Sequence, residues 1–281
     1  MTDNGKPLRV AAVQICATPD AGANLVAAEA AARDAAEQGA QWIAFPEAFD
    51  CLVPTAAEMH AYARPEEDHP AVRSFTRLSR ELGRWLLAGS VSVRSADDAV
   101  VNRTLVFSPE SVIAARYDKI HLFDIDLPNG ESSRESDFYR PGGTAVVADL
   151  DGIGLGLSIC YDIRFPQLFR ALGQGGARVI ATPAAFSNYT GPLHWEPLLR
   201  ARAIETGCFV VAAAQCGDNY PGRVSHGQSM IIDPWGRVMA RAGDAPAVIL
   251  ADLDLEEVDR FRTAIPSLTK GRDFALGEVA Q

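Results

Sequence analysis

Three residues with reactive side chains each come at the end of an apolar segment with the composition of a β-strand. Glu47 follows the segment WIAF, Lys119 ends SVIAARYDK, and Cys160 ends IGLGLSIC. In open α/β sheets, ligands bind beyond the carboxyl ends of the strands. We therefore expect the three side chains to converge on one site.

Together, these three residue types are suited to acyl transfer through a cysteine. A thiol becomes a strong nucleophile when a base takes its proton, and Glu47 is the candidate base. The same carboxyl group can afterwards protonate a departing amine and activate the water that hydrolyses the thioester. Lys119 is better suited to stabilising the oxyanion of a tetrahedral intermediate, alongside a backbone N–H next to Cys160.

Each of these side chains also has a purely structural interpretation. A cysteine at the end of an apolar strand is often a buried small hydrophobe. Glu47 after Pro46 could lie in an exposed turn, and Lys119 could simply be solvated. The context favours the catalytic interpretation, because a helix start follows Cys160. Both a helix N-terminus and a nearby lysine stabilise a thiolate, so we expect the ionised form of this thiol to be favoured.

Strand-like and helix-like segments alternate along most of the chain. Strand-like segments lie at 9–15, 42–45, 85–93, 100–109, 111–119, 144–152, 153–160, 179–185, 209–216, 229–233 and 247–254, and helical segments at 24–39, 69–83, 165–174, 193–206 and 256–263. This alternation predicts an α/β architecture in which helices cover sheets. We expect one domain of two similar halves over residues 1–281, with a core at about 7–265 and an irregular tail at 266–281.

Residues 120–143 interrupt this alternation. They contain Pro128, Asn129-Gly130 and Pro141-Gly142-Gly143, which favour turns. A loop of this length inside a compact domain usually has a function of its own. We therefore expect a functional loop or a lid.

The composition excludes several classes of partner. The 281 residues are 48% hydrophobic and carry a net charge of −10, so no basic surface is available for nucleic acid or an anionic membrane. Five scattered cysteines without a CxxC pair argue against a disulfide framework and favour a reducing compartment. The sequence has no signal-like N-terminus and no membrane-length apolar run, so it predicts a soluble cytoplasmic protein.

No motif with convincing spacing indicates a cofactor. The segment GIGLG at 152–156 resembles a dinucleotide fingerprint, but an apolar strand follows it where a phosphate-binding helix should begin. The five histidines show no paired ligand spacing. We expect neither a metal nor an organic cofactor.

The segments around the three reactive residues resemble a known family. AFPEAF contains Glu47, YDKIHLFDID contains Lys119, and SICYDIRFP contains Cys160. In this order they resemble the carbon–nitrogen hydrolases of the nitrilase superfamily. The resemblance implies a four-layer αββα sandwich, a Glu–Lys–Cys triad of these three residues, and a homodimer or larger homo-oligomer. It also implies a second catalytic glutamate, which matches Glu135 in RESDFYRPGG.

Two later segments resemble the amidase branch of that family. They are AAFSNYTGPLHWEPLLRARAIETGCFVVAAAQCG and SMIIDPWGRV. The branch includes the deaminated-glutathione amidases and the omega-amidases, which act on alpha-ketoglutaramate. The resemblance is closer to the former group, so it implies hydrolysis of a 2-oxo-acid amide, foremost deaminated glutathione, to a carboxylate and ammonia through a cysteine thioester.

Three alternatives to this function stay open from the sequence. One is omega-amidase activity on alpha-ketoglutaramate. Another is a Cys–His hydrolase in which His121 is the base. The last is a redox-sensing or scaffold protein in which Cys160 is an oxidisable thiol and no amide is turned over.

Four residues are candidates for substrate binding. Arg164, four positions after the cysteine, suits the carboxylate of a 2-oxo acid, because a guanidinium binds a carboxylate through two hydrogen bonds. A salt bridge with Asp162 or a glutamate is its structural alternative. The backbone N–H of Tyr161 is the candidate donor to the oxyanion. Phe186 and Thr190 follow a strand-like segment and are expected to line the pocket.

Overall fold

Two mixed β-sheets form the centre of the protein in a computed structural model that describes residues 7–275 and residue 277. The first sheet contains β1 (Leu8–Gln14), β2 (Trp42–Ala44), β3 (Trp85–Arg94), β4 (Val100–Phe107), β5 (Ile113–Asp118) and β16 (Ala247–Leu253). Their spatial order is β16-β1-β2-β3-β4-β5. The strands β1, β2 and β3 run parallel, and the remaining pairs are antiparallel.

The second sheet repeats this arrangement. It contains β8 (Val147–Leu150), β9 (Ile153–Leu157), β10 (Val179–Ala181), β11 (Phe209–Ala212), β14 (Met230–Ile232) and β15 (Val238–Arg241). The spatial order is β15-β14-β11-β10-β9-β8, with β9, β10 and β11 parallel. Each sheet therefore has three parallel strands at its centre and antiparallel strands toward its edges.

Helices cover the outer faces of both sheets. They are α1 (Ala21–Glu37), α2 (Ala56–Tyr62), α3 (Pro70–Leu82), α4 (Pro166–Gln174), α5 (Gly191–Thr206) and α6 (Glu256–Ala264). Helices α1 and α3 pack on the first sheet, and α4 and α5 pack on the second. The four-layer αββα sandwich implied by the sequence is confirmed.

Strand β1 illustrates why both faces of these sheets are apolar. Val10 and Ala12 belong to the core between the two sheets, whereas Ala11 and Val13 belong to the core beneath α1 and α3. Successive side chains of a strand point to opposite faces. A strand with a layer on each side therefore needs a continuous apolar run, as parallel sheets usually do.

The glycines of the GIGLG segment serve strand packing. Gly154 lies in β9, and a Cβ atom at this position would come within 2.3 Å of the Gly176 carbonyl oxygen. The segment forms a turn and a strand with close neighbours, as its apolar continuation predicted, and not the start of a phosphate-binding helix.

Several short elements were not predicted from the sequence. Helix α2 has only seven residues and buries Met59 alone. The hairpin of β12 (Cys216–Tyr220) and β13 (Arg223–His226) is built from the polar segments CGDNY and RVSH. Neither element has the apolar periodicity on which a sequence-based prediction depends.

Residues 120–143 contain more structure than the predicted loop. They form a small hairpin of β6 (Asp124–Asp126) and β7 (Ser132–Arg134), followed by a 3₁₀ turn at Glu135–Asp137. Asn129-Gly130 lies at the tip of the hairpin, and Gly130 has a φ of +90°. The hairpin carries Glu135 toward Lys119, which is the functional role expected of this segment.

The outer ends of the expected domain, residues 1 and 281, lie outside the described residues, as do residue 276 and residues 278–280 of the expected tail. Among the described residues, no helix combines the length and the apolar character needed to cross a bilayer.

Candidate active site

Glu47, Lys119 and Cys160 line one pocket, as the positions of these residues at strand ends predicted. Lys119 directly follows β5, and the other two lie three residues beyond the ends of β2 and β9. The space between protein atoms at this pocket, with its open mouth included, is about 800 Å³. Both sheets therefore contribute to the pocket, and the three reactive side chains lie beyond the carboxyl ends of their strands.

A buried lysine lies between two glutamates in this pocket. The Nζ atom of Lys119 donates to Glu47 Oε1 at 2.8 Å and to both carboxylate oxygens of Glu135, at 2.8 and 2.7 Å. Lys119 is only 2% exposed and Glu47 6%. Glu135, which the sequence placed in an irregular loop, is thus brought to the other two residues by the β6–β7 hairpin.

The three charges fix one another's protonation states. Burial alone would lower the pKa of Lys119, but the carboxylates of Glu135 and Glu47 raise it well above its usual value. Burial would raise the pKa of Glu47, yet the adjacent Lys119 charge and its hydrogen bond lower it. Burial and the neighbouring Glu47 raise the pKa of Glu135 above its ordinary value, although Lys119 opposes this. Lys119 is therefore a cation, and Glu47 is an ionised carboxylate available to accept a proton.

Further hydrogen bonds orient the Glu47 carboxylate. The backbone N–H of Ala185 donates to Oε2 at 2.9 Å, and Asn102 Nδ2 donates to Oε1 at 3.0 Å. Asn102 also reaches Glu135 Oε1 at 3.2 Å. Gly89 of β3 permits this arrangement, because a Cβ atom there would lie 2.1 Å from the Pro46 carbonyl oxygen. The base is therefore held from both sheets.

Cys160 occupies a strained turn. It has a φ of +46°, which is the left-handed region that residues other than glycine seldom adopt. Its N–H donates to the Pro183 carbonyl at 2.8 Å, so that N–H is not available to an oxyanion. Cys160 begins a 3₁₀ turn that ends at Arg164, and the first N–H groups of a helical turn lack intrahelical acceptors. The N–H of Tyr161, the second residue of this turn, is the remaining donor beside the thiol.

The expectation that a helix N-terminus favours the thiolate is wrong. Burial and the nearby Glu47 carboxylate raise the pKa of the Cys160 thiol well above its usual value, although the charge of Lys119 opposes them. The helix α4 begins at Pro166, and the turn that contains Cys160 precedes it. The thiol is therefore protonated at rest in the same pocket as the Glu47 carboxylate, so its activation requires proton transfer to that carboxylate.

A buried carboxylate two residues after the cysteine fixes the turn. Asp162 accepts hydrogen bonds from Tyr117 Oη at 2.7 Å and from the Ile159 N–H at 2.8 Å through one oxygen. Its other oxygen lies 2.7 Å from His121 Nδ1 and accepts the His121 N–H at 3.1 Å. The alternative of a salt bridge between Asp162 and Arg164 is wrong, because these contacts occupy Asp162.

The side chain of His121 packs against residues of the turn that follows Cys160. Its ring contacts Asp162 and stacks on Phe165, with ring centroids 3.5 Å apart. His121 does not appear among the described residues that line the pocket. The geometry therefore favours Glu47 over His121 as the base for Cys160.

The candidate substrate-binding residues fall into two groups. Tyr161, Phe186 and Thr190 line the pocket with the cysteine. The hydroxyl of Thr190 is buried and has no hydrogen-bond partner among the described residues, which leaves it available to a ligand. Arg164 lies behind this wall: its guanidinium carbon is 5.9 Å from the Tyr161 ring centre and 5.3 Å from that of Phe186, and Nη1 is 3.2 Å from His194 Nδ1.

Two polar residues of the pocket were missed by the sequence analysis. Asn102 is one of three consecutive polar residues in the otherwise apolar strand VVNRTLVF, and this polarity was the signal that could have indicated the site. Arg223 lies in the unpredicted hairpin and also lines the pocket. No cluster of three metal-ligating side chains occurs within residues 7–275 and 277.

Comparison with known proteins agrees with this geometry. A family model described as carbon-nitrogen hydrolase matches residues 9–263. The chain is 38% identical over 275 residues to a deaminated glutathione amidase of Mus musculus, which covers 96% of this chain and 85% of the relative. It is also 38% identical over 268 residues to a deaminated glutathione amidase of Synechocystis, which covers 94% and 97% of the two chains.

The fold has close counterparts among solved structures. The structure of Saccharomyces cerevisiae Nit3, a member of branch 10 of the nitrilase superfamily, has a TM-score of 0.86 and 29% identity. The similarity covers 96% of this chain and 97% of that one. Sequence, fold and pocket therefore agree, and the chain belongs to the carbon-nitrogen hydrolase family of the nitrilase superfamily.

Proposed function

We propose that the protein hydrolyses the amide of a 2-oxo acid, foremost deaminated glutathione, through a Glu47–Lys119–Cys160 triad and a cysteine thioester. The observation that carries this proposal is the ionised Glu47, held by Lys119 and Ala185 in the same pocket as the protonated thiol of Cys160. A buried base beside a buried nucleophile is the arrangement that activates a cysteine.

The first half-reaction forms the thioester. Glu47 takes the thiol proton as the Cys160 sulfur attacks the amide carbon, and the carbonyl oxygen becomes an oxyanion. The N–H of Tyr161 and the ammonium of Lys119 stabilise this oxyanion. Because all three N–H groups of Lys119 are already donated, one of its two bonds to Glu135 opens for this step. The intermediate collapses when the C–N bond breaks and Glu47 gives its proton to the departing amine.

The second half-reaction returns the enzyme to its starting state. Glu47, now ionised again, takes a proton from a water molecule that attacks the thioester carbon. The same donors stabilise the second oxyanion. When the C–S bond breaks, the sulfur recovers its proton from Glu47, and the new carboxylic acid leaves and gives its remaining proton to solvent. Glu135 keeps Lys119 charged and in place during both halves.

The leaving amine depends on the substrate. In deaminated glutathione, the scissile amide joins the distal carbonyl of the 2-oxo acid to the amino group of Cys-Gly, so this dipeptide is the amine released. Ammonia is the product only with a primary amide such as alpha-ketoglutaramate. The names of the Mus musculus and Synechocystis relatives support the peptide substrate, and omega-amidase activity is the alternative.

Phe186 and Thr190 hold the acyl part of the substrate in this proposal, and Arg164 binds its carboxylate after the guanidinium moves from behind the Tyr161 and Phe186 rings. Arg164 follows the nucleophile on the same 3₁₀ turn and contacts two residues of the wall. A guanidinium has five N–H donors, so its contact with His194 leaves others for the carboxylate of the 2-oxo acid. The unpartnered hydroxyl of Thr190 supplies a further hydrogen bond.

The test compares the two amides under identical conditions. Chromatography measures released Cys-Gly, an ammonia assay measures turnover of alpha-ketoglutaramate, and kcat/KM ranks them. The proposal expects a higher kcat/KM for deaminated glutathione. The reverse order would establish omega-amidase specificity, and no release of either amine would leave a protein without this turnover, such as a redox sensor.

We also propose that the protein is a cytoplasmic homo-oligomer. Helix α5 supports self-association, because it exposes 73% of Leu193 and 44% of Ile204. Five free cysteines are compatible with a reducing compartment. Light scattering of the purified protein measures its mass, and a monomer over the whole concentration range would oppose the proposal.

The pH profile of kcat/KM is expected to be flat across neutral pH. Attack needs Glu47 ionised, and its pKa is lowered below 4.5 by Lys119 against the effect of burial. Attack also needs a protonated thiol, and burial and Glu47 raise the pKa of Cys160 above 9.0. The acid limb of the profile therefore lies below pH 4.5 and the alkaline limb above pH 9.0.

Initial rates between about pH 5 and about pH 9 check this profile, with circular dichroism at each pH to confirm that the protein stays folded. A histidine base such as His121 would instead place a limb near about pH 6.5. A limb in that range would contradict the assignment of Glu47.

A further inference from the structure

Arg223 is a pocket cation to which the triad gives no role. Of the described residues that line the pocket, two are positively charged, Lys119 and Arg223. Lys119 is fully engaged by Glu47 and Glu135. Arg223 is therefore the wall residue that can meet a second negative charge on a ligand.

The contacts of Arg223 leave its guanidinium available. Nη2 donates to the Ala185 carbonyl at 2.5 Å, which fixes the group at the wall. Nη1 lies 3.5 Å from Glu131 Oε1, a long contact with an acid on the β6–β7 hairpin. Glu131 has a partner of its own, since Ser187 Oγ donates to its other oxygen at 2.7 Å. A ligand carboxylate can therefore replace Glu131 without leaving that acid unpaired.

Ala185 places Arg223 on the side of the pocket where the amine departs. The N–H of Ala185 holds Glu47 Oε2, and the carbonyl of the same residue holds Arg223. Glu47 is the group that protonates the departing amine, so the amine lies beside it. Arg164 lies on the turn that carries Cys160, where the acyl group becomes attached.

We propose, on the basis of the proposed function, that Arg223 binds the terminal carboxylate of the peptide that leaves. Arg223 then recognises Cys-Gly, while Arg164 recognises the 2-oxo acid. This division favours peptide amides over primary amides, because a primary amide has no carboxylate on its amine.

The test uses a pair of substrates that differ only in this charge. Deaminated glutathione is compared with its C-terminal amide, in which a neutral carboxamide replaces the glycine carboxylate. In the unaltered enzyme, kcat/KM is expected to favour the free carboxylate by at least about tenfold, as charge-assisted hydrogen bonds contribute. In Arg223→Gln this preference falls to near one, and in Arg223→Lys part of it remains.

Arg164→Gln is the matched control. It removes an arginine on the acyl side, so it lowers kcat/KM for both peptides and leaves their ratio unchanged. Thermal melting of each variant checks folding, and the ratio between substrates does not depend on how much active enzyme survives.

The outcomes are separable. A preference that Arg223→Gln leaves intact, or one that Arg164→Gln abolishes instead, overturns the assignment of Arg223. If the unaltered enzyme hydrolyses neither peptide, the proposed substrate fails, and this inference fails with it. Hydrolysis of both peptides at equal rates by the unaltered enzyme overturns the role of Arg223 while the amidase function stands.

Discussion

Replacing Cys160 by alanine is expected to lower kcat for amide hydrolysis by about 10⁴-fold or more, because loss of a nucleophile removes the covalent route altogether. The side chain is small and 7% exposed, so alanine fits the same space. The left-handed backbone at this position is a cost that both residues share. Release of Cys-Gly or ammonia by the purified variant measures the effect.

Cys208→Ala is the control for this prediction. Cys208 is also a buried free thiol, but it lies before the amino end of β11, and its sulfur contacts the Ala177 carbonyl at 3.2 Å. The site lies beyond the carboxyl ends of the strands, so this variant is expected to keep its turnover. Equal turnover by Cys160→Ala and the unaltered enzyme would eliminate the thioester mechanism.

Glu47→Gln is expected to lower kcat/KM by about 10²–10⁴-fold, the usual contribution of a general base. Glutamine keeps the size of the side chain but cannot accept the thiol proton. The thiol then reacts only as its ionised fraction, and burial, the largest cause of the raised pKa of Cys160, remains in the variant. The residual rate should therefore rise with pH, whereas the rate of the unaltered enzyme stays flat.

Glu135→Gln separates the two glutamates. Glu135 also binds Lys119, and its Oε2 accepts the Phe123 N–H at 2.6 Å, but it has no proton to transfer in the proposed mechanism. We expect a smaller loss of kcat/KM and a pH profile that remains flat. A rate that rises with pH in Glu135→Gln and not in Glu47→Gln would exchange the roles of the two residues.

The long, periodic elements could be predicted from the sequence. Strand β1 and helix α3 lie within a residue or two of their predicted bounds, because apolar periodicity and the terminal Gly83 mark them clearly. Strand β9 was predicted to run to Cys160 but ends at Leu157. The apolar residues beyond it are buried in a strained turn, and burial alone does not distinguish a strand from such a turn.

The convergence of the three residues of the proposed triad could be predicted because each follows a strand, whereas their partners depend on tertiary structure. Glu135 was found only through the family resemblance, since no local pattern shows that a hairpin brings it to Lys119. Arg223 lies in a polar hairpin without periodicity. Its position in the pocket wall depends on a contact with Ala185, which lies 38 residues away in the chain.

The protonation state of the cysteine could not be inferred from neighbours in sequence. A following helix suggested a stabilised thiolate. Burial and the Glu47 carboxylate instead raise the pKa of the thiol. Desolvation and a nearby anion both raise a thiol pKa. Such effects follow from the packing of two sheets around the pocket and are invisible in a linear motif.

The thioester is tested most directly by quenching the enzyme in acid within its first turnover of excess deaminated glutathione and measuring its mass. The proposed mechanism predicts an added 2-oxo-acyl group that peptide mapping places on Cys160, together with released Cys-Gly. Release of Cys-Gly during that turnover from an enzyme of unchanged mass, or an acyl group on any other residue, would contradict it.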